Sequence, residues 1–250
     1  MPRPYIGVTG FMDAKEVEEI ISEVPPDSKY DLMVGVLASQ KTMAGEKNKW
    51  PNRYPAPEKI RDIFIGDLFA LSLVHYNTKN QDSLLDQLLR INAIAGPFFQ
   101  GFQLNLAWPN PRIIEAYTNI CSPGQRIVLQ IGSGAFQMME NSPAKLAKKV
   151  KEYDVIVDYV LLDPSGGYGI PLVAEEIRPF LAELHSTHFG RMRFGIAGGL
   201  SSLTMHLIEP LIAEFPGLSI DAEGRLRDQN DNLNLVTTKA YVREALKMLS

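Results

Sequence analysis

The residues best suited to proton chemistry lie in the stretch VLLDPSGGYG, where an apolar run ends at Asp163 and passes directly into glycines. A carboxylate at a strand end, followed by a flexible loop, stands where parallel α/β proteins gather their chemistry. It can give or take a proton there; the structural alternative is an Asp that ties down backbone N–H groups ahead of a glycine turn. His75 is a second candidate. Of the four histidines it is the one on a predicted strand, and an imidazole titrates near neutral pH. Whether it points into the interior depends on a strand parity that the sequence leaves open. Asn105 and Gln130, near the ends of two further apolar runs, offer hydrogen bonds to a polar ligand or to an internal polar layer. Asp221 and Glu223, at the last run, are read as ligand contacts. Together with Asp163 and His75 they offer oxygen and nitrogen to a metal, but no metal-ligand spacing motif accompanies them. No metal and no other cofactor is expected.

The elements that must position these groups follow from the apolar periodicity. Short runs suited to buried strands are expected at 5–9, 31–39, 68–76, 101–107, 126–131, 155–163, 193–197 and 218–221, with helical stripes between them. Asp13 and Glu16 form a capping box before the first helix, Pro57 and Pro111 open helices, and Ser142-Pro143 is an N-cap and first-turn pair. Pro171 is expected to open the helix that carries Val173, Ile177, Phe180, Leu181 and Leu184. Residues 40–57 are rich in Lys, Asn, Gly and Pro and read as a long mobile loop, with Trp50 available to stack or to pin it. His185 and His188 fall at a helix end, where they meet the helix dipole. His206 receives no role. Eight alternating β and α segments without hairpin signals predict a (β/α)8 TIM barrel, one domain spanning 1–250. The glycine fingerprints of nucleotide-binding open sheets are missing.

Composition narrows the partners. Hydrophobic residues make up 45% of the 250 residues and the net charge is −4, so the chain can bury a large core and carries no basic excess to attract nucleic acid. The single Cys121 rules out an internal disulfide and suits a reducing compartment. No run is long enough for a membrane span or a signal peptide, so a cytoplasmic protein is expected, with a small molecule as its partner. The oligomeric state is left open.

Four segments together resemble phosphoribosylanthranilate isomerase, a barrel enzyme of tryptophan biosynthesis. YIGVTG is similar to that family's opening KICGIT, NRYPAPEKI to its KRYxxPE, VLLDPSGGYG to its LLD…GGxG, and IAGGLSS to its SGGLNP. The resemblance spans nearly the whole chain and implies an Amadori rearrangement, which needs a general acid and a general base and no cofactor. It makes Asp163 the acid, Arg53 the residue that recognises the substrate, and Gly198 and Gly199 part of a phosphate site, to which the matched glycines Gly167 and Gly224 are added. Three positions depart from the pattern. The family's Cys base falls on Ile6, its Lys after GGxG is missing at Ile170-Pro171, and its DVSSG becomes IDAEG, which sets Glu223 beside the expected phosphate. A carboxylate 4 Å from a phosphate charge costs about 4 kcal/mol at intermediate dielectric. The expectation is therefore an isomerase-type enzyme on a small sugar-derived ligand, phosphorylated or not, with the family's own reaction lost and His75 replacing the base. The alternatives are a barrel that binds without catalysis and a metal-dependent epimerase or lyase.

Overall fold

The computed structural model describes residues 2–122, 124–165 and 169–249. Its strands are β1 (Tyr5–Thr9), β2 (Asp31–Ser39), β3 (Ala70–Asn77), β4 (Gly101–Leu104), β5 (Arg126–Gly132), β6 (Tyr159–Asp163), β7 (Arg193–Ala197) and β8 (Ser219–Ala222). All pair in parallel, in sequence order, and β8 closes onto β1. The helices are α1 (Ala14–Ile21), α2 (Gln40–Met43), α3 (Ile60–Ile63), α4 (Leu84–Ile94), α5 (Pro111–Ile120), α6 (Ser133–Met138), α7 (Pro143–Val150), α8 (Ala174–Ser186), α9 (Glu209–Glu214) and α10 (Leu235–Leu249). No helix among the described residues is long and apolar enough to cross a membrane.

The register determines which residues face the interior. Because partners across the sheet share a face, one continuous set runs from Gly7 to Met33, Leu71, and onward through Leu73, Gly101, Arg126 and Val128 to Tyr159. Following it, His75 pairs with Gln103, Gly132 with Asp163, and Asp221 with Gly7. Tyr5, Met33, Leu71, Leu73, Val128, Tyr159, Leu161 and Ala197 form the apolar floor inside the barrel, where Tyr5 and Tyr159 meet edge to face at 5.1 Å. The alternate residues, including Ile6, Val8, Val34, Val74 and Phe102, pack outward against the helices in a second and larger core.

Several boundaries differ from the sequence reading for local reasons. Leu68 is 92% exposed and precedes β3, because Asp67 accepts from the Phe69 N–H and turns the chain there. Residues 155–158 do not belong to β6; Val155 has φ +67°, which ends the preceding turn in a left-handed conformation. Pro171 and Val173 precede α8 rather than lying within it, and Val173 is exposed. The stretch after β7 is a 3₁₀ turn, Met205–Leu207, followed by α9. The expected mobile loop is partly ordered: Ser39 and Thr42 cap α2 reciprocally, and Thr42 and Met43 are buried.

Gly101 opens β4 with φ +140°, and a Cβ there would stand 1.9 Å from the Arg126 carbonyl oxygen. Backbone, unlike a flexible side chain, cannot step aside, so Gly101→Ala should lower unfolding free energy by about 3 kcal/mol or more. Urea unfolding with an unchanged midpoint would contradict this account of β4 and β5.

Candidate active site

Asp163, at the end of β6, is held in one orientation by three donors. The Gln130 side-chain amide donates to its Oδ2 at 2.8 Å, and the Ser165 backbone N–H and hydroxyl donate to its Oδ1 at 3.2 and 2.6 Å. Gln130 in turn accepts at 3.1 Å from the Gln103 amide, which also donates to Asp221 Oδ2 at 2.9 Å. The Thr9 hydroxyl donates to Asp221 Oδ1 at 3.1 Å. A hydrogen-bonded chain therefore crosses the barrel from the mouth at β6 to the seam between β8 and β1. Asp221 has room because its register partner is glycine: a Cβ on Gly7 would stand 2.6 Å from Asp221 Oδ1.

Burial raises the Asp221 carboxyl to about 7, with the negative charges of Glu223 and Asp163 adding to the rise and the bonds from Gln103 and Thr9 opposing it. His75 is 6% exposed, and neither ring nitrogen completes a hydrogen bond of good geometry, the Gln130 side chain being the polar group close to it. Burial lowers its pKa, against the pull of Glu223, Asp163 and the Gln130 side chain toward the charged form. An imidazole kept neutral and only loosely held beside a carboxylate can accept a proton or hydrogen-bond a ligand.

These groups line one cavity of about 40 Å³, with Gln130, Ser165, Gly169, Gly198, Gly199, Gly224 and Arg225 among its walls. That enclosed volume takes only the reacting end of a ligand, the rest of which would lie in the open barrel mouth. Gly199 is glycine for a packing reason: φ is +54° and a Cβ would stand 2.6 Å from the Gly169 carbonyl oxygen of the segment laid over it. Gly198, at φ +135°, carries the turn, and its carbonyl accepts from the Leu172 N–H.

The structure thus brings together Asp163, His75, Gln130, Asp221, Glu223, Gly198, Gly199 and Gly224. Asn105 does not join them; it follows β4, with its amide oxygen 3.9 Å from the place of a Gly132 Cβ. Gly167 lies outside the described residues. Arg53 is occupied: it clamps Asp231, with Nε 2.8 Å from both carboxylate oxygens and Nη2 2.6 Å from Oδ1, while Nη1 reaches Glu223 at 2.8 Å. Each of its three nitrogens is engaged by a protein carboxylate, so it anchors its own loop to the mouth and offsets Glu223. Glu223 does face the cavity, but as half of an ion pair. Ile6 faces the helix layer, so no side chain at that position reaches the mouth; the inward neighbours are Tyr5 and Gly7.

Thr9, Gln103, Ser165 and Arg225 were not expected from the sequence. Gln103 had a signal, a polar residue alternating with Phe102 and Leu104 in an otherwise apolar run. Arg225 had none. Its Nε donates to the Gly169 carbonyl at 2.9 Å, which joins the loops after β6 and β8. Among the described residues, no group of three or more His, Cys, Asp or Glu is placed to hold a metal ion.

No protein-family model matches the chain, and no curated protein matches it. Solved structures do. Phosphoribosyl anthranilate isomerase from Thermus thermophilus is 16% identical, with a TM-score of 0.64 over 98% of this chain and 99% of that one. The same enzyme from Thermotoga maritima is 14% identical, with a TM-score of 0.65 over 97% and 98%. Triosephosphate isomerase from Bartonella henselae is 10% identical, with a TM-score of 0.58 over 98% and 99%. The fold is therefore that of a TIM barrel similar to phosphoribosylanthranilate isomerase along nearly its whole length.

The buried Asp221 makes a stability prediction with a definite sign. Its folded pKa is raised, so its contribution is full below the unfolded value near 4 and is lost as pH rises through about 7. Asn can keep the bonds to Gln103 and Thr9 without that loss. Asp221→Asn should therefore gain about 1–3 kcal/mol on the wild type between pH 5 and pH 8. Denaturant unfolding at the two pH values checks this, and a constant difference would show that Asp221 is ionised throughout.

Proposed function

We propose that this barrel is an isomerase-type enzyme that moves a proton between adjacent carbons of a small sugar-derived or sugar-phosphate ligand. The observation that carries the reading is that Asp163 and His75, whose ring nitrogens complete no well-formed hydrogen bond, line the same cavity. Aldose–ketose chemistry needs one group to take a proton from carbon and another to hydrogen-bond or protonate the neighbouring oxygen. The roles are the reverse of those the resemblance implies: Asp163, which accepts three hydrogen bonds from the protein, suits the first, and neutral His75 suits the second. The structurally similar proteins add support, since those named above are isomerases, and one phosphoribosyl anthranilate isomerase structure holds a deoxyribulose 5-phosphate derivative.

The anion role moves from Arg53 to Arg225. Arg225 stands at the rim beside Gly198, Gly199 and Gly224, where a phosphate would meet a guanidinium and glycine backbone with no Cβ in the way. The repulsion expected from Glu223 is reduced because Arg53 pairs with it at 2.8 Å. A binding barrel without catalysis would keep the anion rim and would not use Asp163.

The test has two stages. Inorganic phosphate and ribose 5-phosphate should raise the melting temperature, and Arg225→Ala should weaken that binding about 10-fold or more. Ribose 5-phosphate and ribulose 5-phosphate should then exchange the hydrogen on the carbon beside the carbonyl in D2O. Asp163→Asn should slow that exchange about 10²–10⁴-fold while the protein stays folded. Binding with no exchange would favour the non-catalytic barrel, and neither binding nor exchange would overturn the proposal.

A further inference from the structure

The chain that joins Asp163 to Asp221 has a property that its end groups alone do not. Asp163 Oδ2 takes a donor, so Gln130 presents its NH2 there and turns its oxygen toward Gln103. Gln103 must then present its own NH2, which it shares between Gln130 and Asp221 Oδ2. The other end of the Gln103 amide, Oε1, is buried and has no partner. If both amides turn over, every bond in the chain reverses. A protonated Asp163 donates to the Gln130 oxygen, the Gln130 NH2 donates to the Gln103 oxygen, and a protonated Asp221 donates to that same oxygen. The end of Gln103 left over is unpartnered in either orientation, so the Gln103 turn sacrifices no other hydrogen bond, and the Gln130 turn changes which end of its amide faces the neutral His75 ring, which can donate or accept.

We propose that Gln103 and Gln130 couple Asp163 to Asp221, so that the two carboxyl groups take up and release protons together. No proton travels along the chain. When Asp163 gains a proton, one O–H bond forms on Asp163; what passes through the amides is the direction of the hydrogen bonds, and it favours the acid form of Asp221, which takes its own proton from solvent. Gln103 and Gln130 are positioning residues in this account. The effect would favour the states with both carboxyls ionised or both neutral over the mixed ones, and it deepens the acid/base reading, Asp163 being the better base where Asp221 is also ionised, without depending on which ligand binds.

Simple repulsion predicts the opposite sign. Two carboxylates acting only through charge hinder each other's ionisation, so neutralising one makes the other a stronger acid. The titratable groups acting on Asp221 are Asp163 and Glu223 at the mouth and the phenols of Tyr5 and Tyr241 beneath. Of these, Asp163 alone is joined to it through the paired amides.

The experiment is a 13C NMR titration of the Asp221 carboxyl carbon in the free protein, in wild type and Asp163→Asn, each with and without Gln103→Met. Asn at 163 can present its NH2 to the Gln130 oxygen, as a protonated Asp163 would. The Asp221 midpoint should then rise by about one pH unit on Asp163→Asn when Gln103 is present, and fall when it is Met. Gln130→Met should break the coupling in the same way and serves if Gln103→Met does not fold. A fall in both backgrounds would overturn the coupling and leave charge repulsion as the only link. Because the readout needs no substrate, it can fail while the ligand and exchange tests of the enzymatic reading succeed, and the reverse also holds.

Discussion

Closure of a parallel sheet on itself is the constraint from which this structure follows. Once β8 pairs with β1 in register, every second residue of every strand is committed to an interior with no edge and little water. Apolar residues fill the lower layer, where Tyr5, Met33, Leu71 and Leu161 pack. Polar residues committed to the upper layer must satisfy one another, since an unpaired buried polar group costs about 1–3 kcal/mol. The run Thr9–Asp221–Gln103–Gln130–Asp163 is how they do so, and it draws on β1, β8, β4, β5 and β6. The His75 ring nitrogens and the Gln103 Oε1 complete no hydrogen bond there, and the imidazole lies in the cavity wall.

Small residues make that layer possible. Gly7 and Gly35 face inward, and a Cβ on either would stand 2.6 Å from an oxygen, of Asp221 in one case and of Thr9 in the other. Side chains from neighbouring strands occupy the space these glycines vacate. The space left at Gly7 on β1 is filled by the Asp221 carboxyl, brought across the seam from β8.

The mouth is balanced by charge. Asp163, Asp221 and Glu223 converge there, which would be unfavourable without cations. Arg53 reaches in from the loop after β2 and binds Glu223 and Asp231, while Arg227 donates to the Thr9 and Gly10 carbonyls at the end of β1. One loop that reads as free is thus tied at its far end by an ion pair across the barrel mouth, which a local composition argument does not see.

The amino-acid sequence determined the architecture, because alternating strand and helix periodicity is a local property repeated along the chain. It also placed Asp163, Gln130, Asp221 and Glu223 at strand ends, and in a barrel all strand ends share a face. It did not decide parity. A shift of one residue turns a strand's side chains to the opposite face, so His75 and Gln103 could be assigned to the interior, and Ile6 to the helix layer, only from the pairing register. Nor did it decide how charges pair: Arg53 is 170 residues from Glu223 and 178 from Asp231, and no spacing rule connects them. Asn105 stands at a strand end as Gln130 does, yet only Gln130 lines the cavity, because a side chain's place there is set by its neighbours around the barrel and not by its neighbours in the chain.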